Sequence, residues 1–574
     1  MPMKKLLWIL PLLLLLSCND YRASRGPADW IYVATTGNDG TGDGTSGAPY
    51  LTVAYAITQA TSGDTIYINA GTYNIGTTIT VPEAISLLGA GESTTTLLAT
   101  AAVEPMLSLI SGAEGANGNQ SISHLTLDGD LTAEQAILAR GRSNIKLHDV
   151  TIKDFLGEGT NVVIFNGRVS GSAEPTTYAT GIEIYDCNFI NNGDDFEYSA
   201  NVWFAYSALE IVGTSGALVH DNLFDNKTGG RYGYGLKCIS GYIRGAKIYD
   251  NEFYLTLHDA ASISSYAFAI ELWNGTGGVE VYRNYCNGGG IDLAGRGWDD
   301  KYNYGFAAKI YSNTVVMDAQ PVHTAESALL LESGSADGVF FTANYVRNFT
   351  IGFSLSLRQD ADTRILNVDG LHLAYNIFDN LGRNNSTAAG YGITHNLVNS
   401  TANPFTPTVN NFNVLNNVIY HSVLQAFGIY LTATIGGNPV TWTNVTVANN
   451  IFHKMYWPCQ FKDQVIDTIT VSNNIFTDPE DPLMFNNCTV TNADTTAGVD
   501  VNPLFRSAGN FRLQAASPAI NAGTNLSLTS DFAGHRIPQQ DTVDIGAYEY
   551  GNYLFRTPSG HLLRNANGKL MISH

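Results

Sequence analysis

Lys247-Ile248-Tyr249-Asp250-Asn251 is one copy of a phrase that returns along the chain without tandem identity: variable, apolar, two variable residues, then usually Asn. It reads KLHDV at Lys146, EIYDC at Glu183, LVHDN at Leu218, EVYRN at Glu280, KIYSN at Lys309, FFTAN at Phe340, HLAYN at His372, NVLNN at Asn413, TVANN at Thr446 and TVSNN at Thr470. The mean step is about 32 residues, a period that marks a solenoid and not a globular core. Asn-rich turns between antiparallel strands would return every eight to twelve residues or so. Each step is therefore predicted to be one coil of an all-β parallel β-helix of roughly a dozen coils.

The last residue of the phrase carries the corner. Asn tolerates left-handed backbone geometry and bonds its own backbone, so Asn222, Asn251, Asn284, Asn313, Asn344, Asn376, Asn417, Asn450 and Asn474 are expected to stack as a ladder. Val150 and Cys187 take that place in the first two coils.

Composition agrees with a solenoid. Charged residues make up 14% of the chain, against about 25% in average domains, and Gly reaches 57 residues. Stacked coils need continuous apolar ladders and short turns more than charge. The formal charge of -21 argues against nucleic acid as a ligand, because phosphate binding relies on Lys and Arg.

At the N-terminus, Lys4 and Lys5 precede LLWILPLLLLL, then Ser17 and Cys18, the order of regions in a secretory signal. Leu15-Leu16-Ser17-Cys18 resembles the lipobox of bacterial lipoproteins. That resemblance implies cleavage before Cys18, lipid on its thiol, and a chain held at the outer membrane or cell surface by this anchor alone. The remaining Cys187, Cys238, Cys286, Cys459 and Cys488 lack disulfide or zinc-site spacing and read as buried small apolar residues.

Residues 1–18 are thus the signal and 19–29 a tether. Trp30 to Ala34 reads as a strand, Leu51 to Ala60 has helical spacing, and Gly63 to Tyr73 returns to strand alternation. The helix is expected to cap the first coil, where open strand edges would otherwise pair with another molecule. In the Gly-rich loop between them, Asp39 and Asp43 lack an EF-hand ligand pattern and read as turn residues. The words YVATTGNDGTGDGTSGAPYLTVAYAI and GDTIYINAGTY resemble the opening of bacterial right-handed parallel β-helix proteins of the pectate-lyase-like superfamily. NPLF at Asn502, FRLQAASPAINAG from Phe511 and DIGAYEY from Asp544 are similar to the closing segment of surface-exposed members. The resemblance implies a right-handed β-helix over residues 30–550; residues 551–574 read as a tail, and the chain is expected to be a monomer. For activity it is unspecific, since the superfamily spans lyases, hydrolases, epimerases and non-catalytic proteins.

A second ladder lies between the Asn corners, with the form small, apolar, variable, apolar: Ala208 to Ile211, Gly235 to Cys238, Ala269 to Leu272 and Gly290 to Leu293. The variable place holds Glu210, Lys237, Glu271 and Asp292, then Leu330, Ser354, Thr394, Tyr430 and Gln460, with Glu332 two residues beyond Leu330. Alternation along a strand predicts that these side chains point to solvent. Coil stacking at about 4.8 Å sets the four charges in a column roughly 14 Å long. A solvated ion-pair ladder is the plain alternative, as expected for Lys247, Glu280 and Lys309 on another face.

Two features of the window Lys227–Lys309 favour function. It is charge-balanced, with Arg231, Arg244 and Arg296 among its cations, inside an acidic chain. It is also rich in rings such as Tyr234, Trp273 and Trp298, whose flat faces suit sugars. These six residues are the expected substrate contacts, and a polysaccharide is the expected partner. In a lyase reading, Lys237 is the base that removes the C5 proton of a uronic acid. Ca²⁺ on Glu210, Glu271 and Asp292, as in β-helix lyases that the chain resembles, would suppress protonation of that lysine. In a hydrolase reading, two of the three carboxyls act as acid and base or acid and nucleophile. A non-catalytic, glycan-binding surface protein is the third reading. His258, His323 and His395 are isolated and read as packing or surface residues.

Overall fold

The computed structural model describes residues 30–551 except 158–159, 172–173, 194–206, 227–233, 239–240, 256–267, 274–277, 295–306, 318–326, 333–335, 359–366, 383–389, 399–407, 422–425, 433–438, 478 and 497, together with the backbone of 553–554 and 572–573. The chain is a parallel β-helix. A 14-stranded sheet runs from Ile79–Thr80 to Leu483–Asn486, one strand per coil. A 30-stranded sheet forms the other two faces, joined through the Asn corner, as where Ile182–Tyr185 is followed by Asn188–Ile190. Every coil-to-coil pairing is parallel, and antiparallel strand pairs among the described residues occur only toward the C-terminus, as in Phe505–Ser507 with Asn510–Leu513. At about 4.8 Å per coil, the 14-stranded face is roughly 60 Å long.

The Asn ladder forms as expected, unbroken from Asn222 to Asn474. In each step one Asn donates from Nδ2 to Oδ1 of the next, at 2.9 Å for Asn222 to Asn251 and 3.0 Å for Asn450 to Asn474. The same Oδ1 accepts the backbone N–H of the preceding Asn, and Nδ2 also donates to a carbonyl of the preceding coil, as Asn313 does to Val281. All nine amides are buried, so the ladder satisfies polar groups that would be costly if left unpaired. One detail of the expectation is corrected. The left-handed residue is the one before each Asn, as at Asp221, Asp250, Arg283 and Ser312. That turn swings the following Asn inward, where its amide and not its backbone tolerance is used.

Inside the coils the apolar ladders fuse into one core that runs from Val33 to Phe476. Phe189, Phe224 and Phe253 stack in it at centroid spacings of 4.5 and 4.7 Å. Outside, the third position of the phrase builds another stack: His148, Tyr185, His220, Tyr249, Tyr282 and Tyr311, with spacings between 4.7 and 5.3 Å. The lysine and glutamate column two residues earlier is the expected solvated one, with Lys146 Nζ 2.6 Å from Glu183 and Lys247 Nζ 4.0 Å from Glu280. Cys187, Cys286 and Cys459 are buried, and burial pushes their thiols up.

The N-terminal helix is Val53–Gln59, shorter than the periodicity predicts, and it buries Val53, Ala56 and Ile57 against the first coil. Thr52 caps it by accepting the Tyr55 N–H. Asp39 anchors that cap, accepting from the Leu51 and Thr52 N–H groups and the Thr52 hydroxyl at 2.8, 3.1 and 2.7 Å. Asp43 likewise serves its own turn through Thr45.

At the other end, Phe511, Leu513, Ala519, Ile545 and Ala547 pack beside Ile377, Val418, Ile451 and Ile475. The closing segment therefore doubles back along the outside of the last coils, bonded to the Asn416 and Asn449 amides. Asp531, Asp544 and Glu549 are all buried beneath it. Burial, with the Asp544 and Asp531 charges, raises Glu549 from 4.5 to about 7, and burial raises Asp544 as well. The folded state thus holds a proton that the unfolded chain releases above about 4.5. Stability from this group is full below that value and is lost as pH rises through about 7, a change on the order of 3 kcal/mol. Thermal melts between pH 4.5 and 8 are expected to show this fall, and Glu549→Gln to flatten it. An unchanged slope in the variant would remove Glu549 as the cause.

Candidate functional site

In the coils that carry Lys237 and Asp292, the glycine two places before the charge is there for a steric reason. A Cβ on Gly290 would lie 2.4 Å from the Ser327 carbonyl oxygen of the next coil, and one on Gly235 2.4 Å from the Phe253 ring. The apolar residues on either side of the variable place point inward, as Ile291 and Leu293 do in Gly290–Ala294. The variable places then stack in register: Glu210 beside Lys237, Lys237 beside Glu271, Glu271 beside Asp292, and Asp292 beside Leu330. Ser354, Thr394, Tyr430 and Gln460 continue the same row. Glu332 sits opposite Ala294, two residues beyond the row, and so diagonal to Asp292.

Exposure departs from the sequence expectation. Glu210, Glu271, Asp292 and Glu332 are 8, 3, 0 and 5% exposed, so they are buried on the outer face and do not form a solvated ladder. A pleated strand directs them away from the core, but alternation says nothing of what covers that face.

Burial changes their chemistry. Neither oxygen of Asp292 receives a bond from an N–H or hydroxyl group among the described residues. Its carboxyl instead meets that of Glu332, with Glu271 next in register. Burial first, then the Glu332 and Glu271 charges, hold Asp292 well above the usual carboxylate range. Two carboxyls in contact cannot both ionise, so they share a proton. Glu210, two coils from Glu271, is held separately. Asn161 Nδ2 donates to its Oε2 at 2.8 Å, while Asn161 Oδ1 accepts from the Ser207 N–H and hydroxyl at 2.7 and 3.0 Å. Of the three carboxylates expected to bind Ca²⁺, Asp292 thus meets Glu332, Glu210 is bonded by the Asn161 amide, and Glu271 stands in register between Lys237 and Asp292.

The other expected residues fall differently. Lys237, Tyr234 and Trp273 are placed by backbone and register only, and Arg231, Arg296 and Trp298 lie outside the described residues, as do Cys18, His258 and His323. Arg244, expected as a substrate contact, is placed away from the carboxyl column. It lies in the strand Ile243–Arg244 of a separate three-stranded sheet, paired with Glu174 at 2.9 Å and set 4.0 Å over the Tyr178 ring. His395 packs edge-on against Trp442 at 5.6 Å, as expected for a core histidine. Asn161 was not singled out by sequence reasoning, and only its register opposite Ser207 in the folded chain marks it.

No family model matches the chain, and no curated protein matches it in sequence. Among solved structures it is similar to the catalytic domain of a GH87 alpha-1,3-glucanase in complex with nigerose, at 12% identity and a TM-score of 0.37, over 69% of this chain and 65% of that one. It is similar to the Pseudomonas phage phi297 tailspike gp61, at 12% identity and a TM-score of 0.40, over 70% and 72% of the two chains. It is also similar to XylC in complex with xylose, at 10% identity and a TM-score of 0.36, over 90% and 98%. The chain thus spans 65% of the glucanase domain it matches. Likeness at these scores carries no argument about activity. The class rests on the chain's own pairings: a parallel β-helix with a buried carboxyl column on one face.

Proposed function

We propose that this chain recognises and cleaves a glycan at the carboxyl column, with Asp292 as general acid and Glu271 as the second carboxyl of the pair. The observation that carries this reading is the complete burial of the Asp292 carboxyl against that of Glu332, with Glu271 next in register. Carboxyls whose environments push their proton affinities apart are the usual basis for acid and base roles in glycoside hydrolysis. Glu332 is then a positioning residue that keeps the proton on Asp292. This order puts hydrolysis ahead of elimination. The lyase reading retains one specific support, the register of Lys237 between Glu210 and Glu271. Lipid anchoring at Cys18 and a place on a bacterial surface are proposed from the lipobox resemblance alone.

The test is product analysis on a panel of neutral and uronic-acid polysaccharides, with Ca²⁺ and with a chelator. New reducing ends without unsaturation, insensitive to chelation, are expected. Unsaturated uronides that require Ca²⁺ and vanish in Lys237→Ala would replace the hydrolase reading with the lyase one. Polymer retained but uncut would make the column a binding surface.

A further inference from the structure

A groove of about 710 Å³ opens on the outer face of the large sheet near the N-terminal end, lined by residues that include Trp30, Ser86, Asn119, Ser121, Asn144 and Lys146. Ser121 lies in the strand Ala116–Asp128, and His148 and Asp149 in Arg142–Lys153. The two strands pair with Ser121 opposite Lys146 and Ser123 opposite His148. Ser121 and His148 are therefore diagonal neighbours on one face, a separation that a ring can span. Ser121 Oγ is 3.1 Å from His148 Nε2, and His148 Nδ1 is 2.7 Å from Asp149 Oδ2.

The ring between them is held in place. It stacks on Tyr185 at 4.8 Å and takes the edge of His124 at 5.8 Å. Asp149 is the left-handed residue of its corner, φ 53°, which brings its carboxylate back beside the preceding imidazole. His148 is buried while Ser121 is only half-buried at the groove. A hydroxyl that meets a base, with the base oriented by a third group, is the general arrangement of an activated nucleophile.

We propose that Ser121, His148 and Asp149 form an acyl-transfer relay, and that the groove takes a carboxylic ester of a polyhydroxylated alcohol, an O-acylated glycan. Ser121 Oγ attacks the ester carbonyl carbon as His148 Nε2 takes the hydroxyl proton. The bond from that carbon to the sugar oxygen then breaks, and His148 returns the proton to the departing hydroxyl. Water attacks the acyl-serine, giving its proton to His148; the bond from the acyl carbon to Ser121 Oγ then breaks, His148 passes that proton to Oγ, and the carboxylic acid is released. Asp149 orients the imidazole through Nδ1. Lys146, opposite Ser121 and 2.6 Å from Glu183, sets a cation beside the carbonyl that gains negative charge. Burial, as the main cause, lowers the His148 pKa despite Asp149 and favours the neutral imidazole that a base requires. Amide and hydroxyl groups in the groove suit sugar hydroxyls. Trp30, stacked on Tyr67 at 4.8 Å, adds a flat ring at one end.

Ligand atoms of His124, His148 and Asp149 also lie within 4.8 Å of one another, and His124 Nδ1 is buried without a hydrogen-bond partner among the described residues. A divalent metal is the competing occupant. The 2.7 Å contact is a hydrogen-bond length and favours the relay.

The test uses the full chain with p-nitrophenyl acetate, O-acetylated xylan and a fluorophosphonate probe mapped by peptide mass spectrometry. Label on Ser121 and acetate release are expected. Release should fall at least ~10³-fold in Ser121→Ala and His148→Gln, and by ~10-fold or more in Asp149→Asn. Ser121→Ala leaves the stacked rings in place, so it separates loss of chemistry from loss of fold. Asp292→Asn should leave acetate release unchanged, which keeps this outcome distinct from glycan cleavage. The proposal is overturned if neither ester is hydrolysed or if the probe labels another residue. It is also overturned if release survives Ser121→Ala but is abolished by chelation and restored by Zn²⁺.

Discussion

Asn313→Ala is expected to destabilise the coils around it by about 3 to 5 kcal/mol, the upper range for a single substitution. The Asn313 amide takes part in four bonds: Oδ1 accepts the N–H and Nδ2 of Asn284, and Nδ2 donates to Asn344 Oδ1 and the Val281 carbonyl. Truncation leaves the buried Asn284 N–H without its acceptor and opens a cavity in a polar seam. Asn313→Asp keeps the volume but turns a donor into an acceptor that faces Asn344 Oδ1 and Val281 O. It should cost as much, which separates the bonds from the cavity. Cys187→Ala offers the contrast. There the ladder is reached only through the backbone N–H, at 3.0 Å from Asn222 Oδ1, so the loss should stay near ~1 kcal/mol. Because each coil contacts only its neighbours, hydrogen exchange should report faster opening in coils 280–344 than near the helical cap. Parent-like melting and exchange in both Asn313 variants would show that the ladder contributes little.

The same seam shows why much of the fold could be read from the chain. A polar group buried at one corner must be satisfied by its copy in the next coil, so the residue type repeats and the period becomes visible. The row from Glu210 to Gln460 was legible for a related reason, since close backbone approach demands a small residue and the core demands apolar flanks. What escaped depended on contacts outside one coil. Burial of Glu271 and Asp292 is set by whatever covers the outer face, and no strand pattern encodes that. Asn161 reaches Glu210 from 49 residues away in sequence. Ser121 and His148, 27 residues apart, meet because one coil separates them. Their signal was present in part, since the third place of the phrase reads His, Tyr, His, Tyr, Tyr, Tyr from His148 to Tyr311. Treating that place as variable hid a stacked column. The closing segment was visible as a motif, but its return path over Asn416 and Asn449 follows only from the folded coils.

Asp292→Asn is expected to abolish glycan cleavage, by ~10² to 10⁴-fold, while making the protein more stable at neutral pH. The two effects share one cause. Burial and the neighbouring Glu332 and Glu271 hold Asp292 well above the usual carboxylate range, so the folded chain keeps a proton that the unfolded chain has released. Stability from this group is complete below the unfolded value and falls as pH rises toward the folded one. An amide of the same shape makes no such demand, so its melting temperature should exceed the parent's at pH 8, with the gap closing toward pH 4. It can neither donate a proton to a glycosidic oxygen nor recover one from water. Glu332→Gln should act differently, because Glu332 raises the affinity of Asp292 for its proton without donating to substrate. That variant is expected to retain turnover at low pH and to shift the alkaline limb of the pH–rate profile to lower pH. A site kept at a cost in stability points to selection for its chemistry. Retained cleavage in Asp292→Asn, or a lower melting temperature than the parent at pH 8, would remove Asp292 from the acid role.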